Sequence, residues 1–139
     1  VRSSQLKGID IPEELVPLAI DEFPVLFVAA ACADGTTTLT GAKELRVKEC
    51  DRIQVMADGL KKLGVDAVPT EDGMVINGKT VDSIGGGEVD THDDHRIAMS
   101  FSIAALRATA PIKVNDCQNV NTSFPEFRDL ATKLGLNLK

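Results

Sequence analysis

A duplication within the sequence limits the folds open to this chain more than any other feature. Two stretches share one order: acidic residues, an apolar run, a strand-like segment, and an amphipathic helix ending in Lys-Leu-Gly. The second stretch begins roughly 70 residues after the first. That period is too long for a solenoid and predicts a duplicated supersecondary unit, although two unrelated α/β stretches would also align in this way.

Each unit contains two kinds of predicted helix. Segments 25–33 and 97–106 are apolar nearly all round, which predicts helices that are buried on most sides. Segments 53–63 and 125–134 carry an apolar stripe on one face, which predicts surface helices. The stripes consist of Ile53, Met56, Leu60 and Leu63 in the first segment, and of Phe127, Leu130 and Leu134 in the second. Gly64 and Gly135 follow as predicted C-terminal caps.

Short strands are predicted between and after these helices, at 36–40, 65–68, 112–115 and 136–138. Residues 70–84 are predicted to form a hairpin whose turn is Glu71-Asp72-Gly73. The run Gly85-Gly86-Gly87 is either a phosphate-binding loop or a plain connection, and the lack of a helix directly after it favours the connection. The predicted fold class is therefore α/β (α+β), with buried inner helices and amphipathic outer helices.

Length, charge and cysteine content exclude several functions. A chain of 139 residues is the size of one domain, and its net charge of −6 argues against a nucleic-acid surface. No apolar run approaches the length of a membrane span. Three cysteines without repeated spacing do not suggest a disulfide framework or, with the histidines His92 and His95, a zinc site. We expect a cytoplasmic protein without a metal or other cofactor.

Charged clusters stand at three predicted helix starts: Asp21-Glu22, Arg46 to Arg52, and His92 to Arg96. Acidic residues are expected at helix starts, but cations such as Lys48, Arg52 and Arg96 are unfavourable there unless an anion lies beside them. The clusters are either local salt bridges or parts of a site. As a site, they predict binding of a small anionic substrate and acid–base chemistry.

Four segments carry a resemblance to a known family. The motif Leu45-Arg46-Val47-Lys48-Glu49-Cys50-Asp51-Arg52 resembles a signature of 5-enolpyruvylshikimate-3-phosphate (EPSP) synthases. Three further segments match in the same order: Asp21-Glu22-Phe23-Pro24, Asp94-His95-Arg96-Ile97-Ala98-Met99 and Thr122-Ser123-Phe124-Pro125. Their order and spacing also fit, so the resemblance covers essentially the whole chain.

The resemblance implies an activity and residue roles. Family members transfer the enolpyruvyl group of phosphoenolpyruvate to the 5-hydroxyl of shikimate 3-phosphate and release phosphate. Asp21 would hold and help to deprotonate that hydroxyl, and Glu49 would protonate the phosphoenolpyruvate methylene and later take the proton back. Lys48 would lie between the two substrates. Arg52 and Arg96 would bind phosphoenolpyruvate, supported by His95.

The resemblance also implies a larger protein. Each of two family domains contains three copies of a βαβαββ unit, so residues 1–139 would be a partial C-terminal domain with about two copies. The remainder of the polypeptide, including the N-terminal domain, would be its partner in a monomeric enzyme, and the fragment alone would be inactive. Two alternatives remain: a non-catalytic anion-binding domain, and a UDP-N-acetylglucosamine enolpyruvyl transferase.

Two positions depart from the family pattern. Cys50 stands where members usually have Ser or Thr, at the predicted N-cap of the first surface helix. Its position between Lys48 and Arg52 predicts a lowered thiol pKa and enhanced reactivity. Thr122 stands where some members have a Lys that contacts phosphoenolpyruvate, which predicts one fewer cationic contact.

Overall fold

The computed structural model describes Arg2 and residues 4–139; Val1 and Ser3, the other members of the predicted domain 1–139, lie outside the described residues. The α-helices are α1 (Val16–Ala19), α2 (Phe23–Ala31), α3 (Arg52–Lys62), α4 (His95–Ala104), α5 (Val120–Ser123) and α6 (Phe127–Lys133). The strands are β1 (Gly35–Leu39), β2 (Asp66–Pro69), β3 (Met74–Gly78), β4 (Gly87–Val89) and β5 (Ile112–Val114). Short 3-10 helices cover Glu13–Leu15, Ile20–Glu22 and Lys43–Val47. Among these elements, no helix combines the length and apolarity needed to cross a bilayer.

The first unit is built on a three-stranded antiparallel sheet in the order β1-β3-β2. The predicted turn at 71–73 joins β2 directly to β3, and the Thr70 amide donates to the Gly73 carbonyl at 2.9 Å. The hairpin forms with other limits than predicted, because β3 ends at Gly78 and not near residue 84. Beyond Gly78 the Lys79 amide bonds to the Ala31 carbonyl at the end of α2, so the ladder stops.

The second unit repeats the order helix, strand, helix of α2, β1 and α3 through α4, β5 and α6, with β4 before α4 and the short helix α5 before α6. Strands β4 and β5 pair in parallel, with Glu88 opposite Lys113, and α4 provides the crossover that parallel strands need. Residues 85–87 lead directly into β4. The predicted mixed α/β fold is confirmed. The predicted strand at 136–138 is wrong, because these residues form no ladder with a described strand, and the Leu136 amide instead donates to the Ala131 carbonyl of α6 at 2.9 Å.

The core lies where the inner helices α2 and α4 pack against α3 and the sheet. Phe101 of α4 sits against Gly59 of α3, where an added Cβ would lie 2.2 Å from the ring. Glycine at this position therefore lets the two helices approach closely in their C-terminal halves.

The two outer helices differ in burial. The predicted stripe of α3 is buried, with Ile53, Met56, Leu60 and Leu63 all at most 1% exposed. The predicted stripe of α6 is not: Leu134 is 82% exposed and Leu130 is 45% exposed. The inner helix α2 is also less enclosed than its composition predicts, because Leu26 is 40% exposed. The described residues therefore leave apolar faces on α2 and α6 uncovered.

Candidate functional site

Three helix starts meet on one side of the molecule. The 3-10 turn Ile20–Glu22 leads into α2, the loop at 48–51 leads into α3, and Asp94 begins α4. The packing of α2 against α3 and α4 brings these starts together. The six residues predicted for the site all lie there: Asp21, Lys48, Glu49, Arg52, His95 and Arg96.

The Arg52 guanidinium lies at the centre of this cluster. Nη1 donates to Asp21 Oδ1 at 2.9 Å, Nη2 to Glu49 Oε2 at 2.7 Å, and Nε to Asp94 Oδ2 at 2.8 Å. The side chains of Arg52 and Asp94 are 1% and 0% exposed, whereas those of Asp21 and Glu49 are 46% and 49% exposed. One buried cation thus joins three carboxylates from three helix starts.

The surroundings keep Arg52 charged. Burial alone lowers the pKa of a guanidinium, because the cation loses its hydration. The hydrogen bond and charge of Asp94, together with Glu49 and Asp21, outweigh this and raise the Arg52 pKa above its ordinary value. The Arg52 guanidinium therefore keeps its charge although its side chain is only 1% exposed.

Arg96 reaches the cluster from α4. Its Nη1 donates to the Asp21 backbone carbonyl at 3.0 Å and to Glu22 Oε1 at 2.9 Å. Asp94 caps the helix, since its Oδ1 accepts from the backbone amides of Arg96 and Ile97. A cation is tolerated at this helix start because carboxylates surround it.

Lys48 completes the cations around Asp21. Its Nζ lies 3.5 Å from Asp21 Oδ1 and also pairs with Glu44. Burial is the largest single effect and raises the Asp21 pKa, but the charge of Lys48, the hydrogen bond from Arg52 and the charge of Arg96 together lower it below its ordinary value. Asp21 is therefore a carboxylate at neutral pH, the form that can accept a proton.

A cleft of about 380 Å³ opens beside these residues. Its lining includes Asp21, His95 and Arg96, together with Ser123 and Phe124. Thr122, where one cationic contact was predicted to be missing, lies in the neighbouring helix α5. The structure thus brings the predicted site residues into one neighbourhood, while their individual roles stay predictions.

Sequence reasoning missed the partners that hold the cations. Asp94 was identified only as part of a motif, yet it bonds to Arg52 and caps α4. Its place just before an apolar run is the signal that could have marked it as an N-cap. Glu22 and Glu44 pair with Arg96 and Lys48.

Cys50 contradicts its prediction in two respects. The N-cap of α3 is Asp51, whose side chain accepts from the Gln54 amide at 3.0 Å, and not Cys50. Burial raises the pKa of the Cys50 thiol to about 12, with the Asp94 carboxylate, 3.7 Å from the sulfur, as the next cause. Arg52 opposes this shift weakly, because its charge is shared among three carboxylates.

We expect Cys50 to resist alkylation. A thiol pKa of about 12 leaves roughly 10³-fold less thiolate at pH 8 than an ordinary cysteine, and its greater nucleophilicity recovers about half of that loss on a logarithmic scale. Iodoacetamide at pH 8 should therefore label Cys50 about 30-fold more slowly than an ordinary accessible thiol. Peptide mass mapping can follow each cysteine, with exposed Cys117 as the internal reference. Equal labelling rates would contradict this environment.

The raised pKa of Cys50 also makes the free energy of unfolding depend on pH in the alkaline range. Because the folded-state pKa lies above the unfolded value, the native protein holds the Cys50 proton more tightly. The stability that Cys50 contributes in this way is fully present below pH 9 and is lost as the pH rises from 9.0 towards about 12.

The assembled groups suit one kind of chemistry. Arginine and lysine bind carboxylates and phosphates, and nearby carboxylates can carry protons. Within Arg2 and 4–139, no group of three or more His, Cys, Asp and Glu side chains is arranged to hold a metal ion. The arrangement therefore fits binding of a small anion with proton transfer by side chains.

Comparison with known proteins points in the same direction. A family model described as EPSP synthase (3-phosphoshikimate 1-carboxyvinyltransferase) matches residues 1–130. The 3-phosphoshikimate 1-carboxyvinyltransferase of Methylococcus capsulatus is 66% identical over 139 residues, which are 100% of this chain and 31% of that protein. That of Halorhodospira halophila is 63% identical over the same shares of the two chains.

A solved structure gives the same relationship. The EPSP synthase from Acinetobacter baumannii superposes with a TM-score of 0.95 at 59% identity, covering 97% of this chain and 32% of that chain. The present chain therefore spans about a third of the length of the proteins it matches. At this similarity, and with a family model that matches nearly the whole sequence, the chain belongs to the EPSP synthase family.

Proposed function

We propose that this chain is part of the C-terminal domain of an enzyme that transfers the enolpyruvyl group of phosphoenolpyruvate to the 5-hydroxyl of shikimate 3-phosphate. The reaction belongs to the shikimate pathway of aromatic amino-acid biosynthesis, and the chain would supply one wall of the site. One observation carries the proposal: a single guanidinium, that of Arg52, binds both Asp21 and Glu49. The two groups proposed to move protons are thereby held side by side among cations.

The proposed reaction has two steps. In the addition, Asp21 accepts the proton of the 5-hydroxyl, whose oxygen bonds to C2 of phosphoenolpyruvate, while Glu49 donates a proton to the methylene carbon. In the elimination, Glu49 takes a proton back from that carbon, the C2–O bond to phosphate breaks, and phosphate leaves. The lowered pKa of Asp21 keeps this group ionised, which is the form that its proposed part as proton acceptor requires.

The cationic side chains of the cluster would bind the anionic substrates. Arg96, at the edge of the cleft, and Arg52 would bind phosphoenolpyruvate, and Lys48 would lie between the substrates. Arg52 is 1% exposed and each of its three nitrogens donates to a carboxylate, so an anion would reach it by displacing Asp21 or Glu49, which are half exposed. His95, which also lines the cleft, would support this pocket.

We propose that the uncovered apolar faces receive the rest of the polypeptide. Val25 of α2 and Ile103 of α4 line a groove between the two inner helices, and Leu106 beside it is 53% exposed. A third βαβαββ repeat would cover this groove, and the N-terminal domain would face the charged cluster. We propose a monomeric full-length enzyme that acts in the cytoplasm, where three free cysteines remain reduced.

Phosphate release tests this function. The full-length protein, encoded by the parent open reading frame, should release phosphate when phosphoenolpyruvate and shikimate 3-phosphate are both present. The 139-residue chain serves as the control and should release none, because the site is completed by domain closure. Release of phosphate by this chain alone would contradict a site shared between domains.

The same assay separates the alternatives. Phosphate release with UDP-N-acetylglucosamine in place of shikimate 3-phosphate would favour the other enolpyruvyl transferase. Binding of phosphoenolpyruvate without turnover of either acceptor would favour a non-catalytic anion-binding domain.

A further inference from the structure

Asp94 connects two of the helix starts that form the site. Its Oδ2 accepts from Arg52 Nε at 2.8 Å, and its Oδ1 accepts from the Arg96 amide at 2.9 Å and the Ile97 amide at 3.3 Å. The side chain is 0% exposed. One buried carboxylate therefore holds the guanidinium at the start of α3 and the backbone at the start of α4.

The loop before Asp94 fixes the direction of this carboxylate. His92 and Asp93 both adopt left-handed backbone angles, with φ of 51° and 60°, a conformation that is uncommon for non-glycine residues. The Asp94 amide donates to the Thr91 carbonyl at 3.0 Å, and Asn119 Nδ2 donates to the Asp93 carbonyl at 2.8 Å. These two hydrogen bonds hold the loop in place, one from within the loop and one from Asn119.

The three carboxylates around Arg52 differ in their access to solvent. Asp21 and Glu49 are about half exposed, so an anion that arrives from solvent can replace them at Nη1 and Nη2. Asp94 lies behind the guanidinium at Nε and cannot be reached from solvent. Asp94 can therefore stay bound to Nε when Nη1 and Nη2 exchange their carboxylate partners for an anion. Its bond to Nε sets the orientation of the guanidinium plane, and so the direction in which Nη1 and Nη2 donate.

We propose that Asp94 is a positioning residue for the anionic substrate, acting through Arg52. The proposal rests on the proposed function, because it takes phosphoenolpyruvate as the anion that Arg52 binds. Without the Nε anchor, the Arg52 side chain is free to swing towards Asp21 and Glu49, so its two outer nitrogens no longer present a fixed edge to a carboxylate or phosphate.

The substitution Asp94→Ser in the full-length protein tests this role. Serine is a good N-cap, so α4 keeps its capping acceptor while Arg52 loses its anchor. We expect the KM for phosphoenolpyruvate to rise about tenfold or more, with a smaller change in kcat and in the KM for shikimate 3-phosphate. Ser102→Ala is the matched control, since it removes another side-chain hydrogen bond of α4, to the Ala98 carbonyl.

A double-mutant cycle separates positioning through Arg52 from a purely structural role. Arg52→Lys removes the same Nε contact, so Asp94→Ser should add little to the KM change of Arg52→Lys. Additive changes in KM would overturn the proposal, as would an unchanged phosphoenolpyruvate KM in Asp94→Ser.

Direct binding keeps this test separate from the proposed function. Calorimetric titration of phosphoenolpyruvate into wild type and Asp94→Ser should show weaker binding in the variant, whether or not the wild type turns over. A wild type that binds without turnover would refute the transferase function alone, and one that binds no phosphoenolpyruvate would refute both proposals. Asp94→Asn, which keeps a capping oxygen but turns an amide donor towards Nε, is the second variant. Loss of native circular dichroism in both variants would identify a folding role and overturn positioning.

Discussion

Replacing Glu49 with Gln in the full-length protein will lower kcat for enolpyruvyl transfer by about 10²- to 10⁴-fold, the usual contribution of a positioned acid or base. Gln has nearly the same shape, and its carbonyl oxygen can still accept the bond that Arg52 Nη2 donates at 2.7 Å. It cannot give up or receive the proton that the methylene carbon needs. The loss should therefore appear in kcat, while phosphoenolpyruvate binding, measured by calorimetry, changes little.

Glu71→Gln is the matched control for this experiment. Glu71 pairs with Lys43 at the surface, where both side chains are more than 70% exposed, and it lies outside the charged cluster. The control should keep its full kcat. If Glu49→Gln also keeps full kcat, Glu49 carries no proton, and the alternative of a domain that only binds anions gains support.

Replacing Arg52 with Met will destabilise the local folding unit formed by α3 and α4, one helix from each repeat, by about 3–5 kcal/mol, as expected when one partner of a buried ion pair is removed. Met fills much of the space, so the main cost is that Asp94, 0% exposed, loses its countercharge. Asp21 and Glu49 are half exposed and can turn to water. Native-state hydrogen exchange at α4 amides of the full-length protein measures the effect on this unit.

Two further variants show whether the uncompensated charge is the cause. In Arg52→Met with Asp94→Ser, the buried charge is gone and a capping hydroxyl remains, so most of the lost stability should return. Lys43→Met removes a cation from an exposed pair and should change exchange little. A double variant as unstable as Arg52→Met alone would show that Arg52 stabilises the unit by packing rather than by charge.

Local pattern was enough to predict much of the fold. The stripe on α3 was confirmed because a 3.6-residue period reports directly which face is buried. Gly64 and Gly135 have φ of 82° and 102°, as the predicted helix caps require. The sequence also predicted that charged residues stand at helix starts, because the start of an apolar run is a local feature of the sequence.

Partners distant in sequence were not predictable in this way. The α6 stripe was predicted to be buried, yet Leu134 is 82% exposed, because burial depends on what lies opposite. Cys50 was predicted to be reactive from its neighbours in sequence, Lys48 and Arg52. Its pKa instead follows from burial and from Asp94, which lies 44 residues away.

The sequence by itself determined that α2, α3, α4 and α6 form, and that cations and carboxylates stand near the beginnings of the first three, because each of these properties depends on residues within a few turns. Only the tertiary structure decided that Arg52 binds Asp21 and Asp94, which are 31 and 42 residues away. Ion pairing depends on distance and burial in space, and these are set by how α2, α3 and α4 pack. The same packing decided that Asp94, rather than a residue of the predicted site, lies behind the central guanidinium.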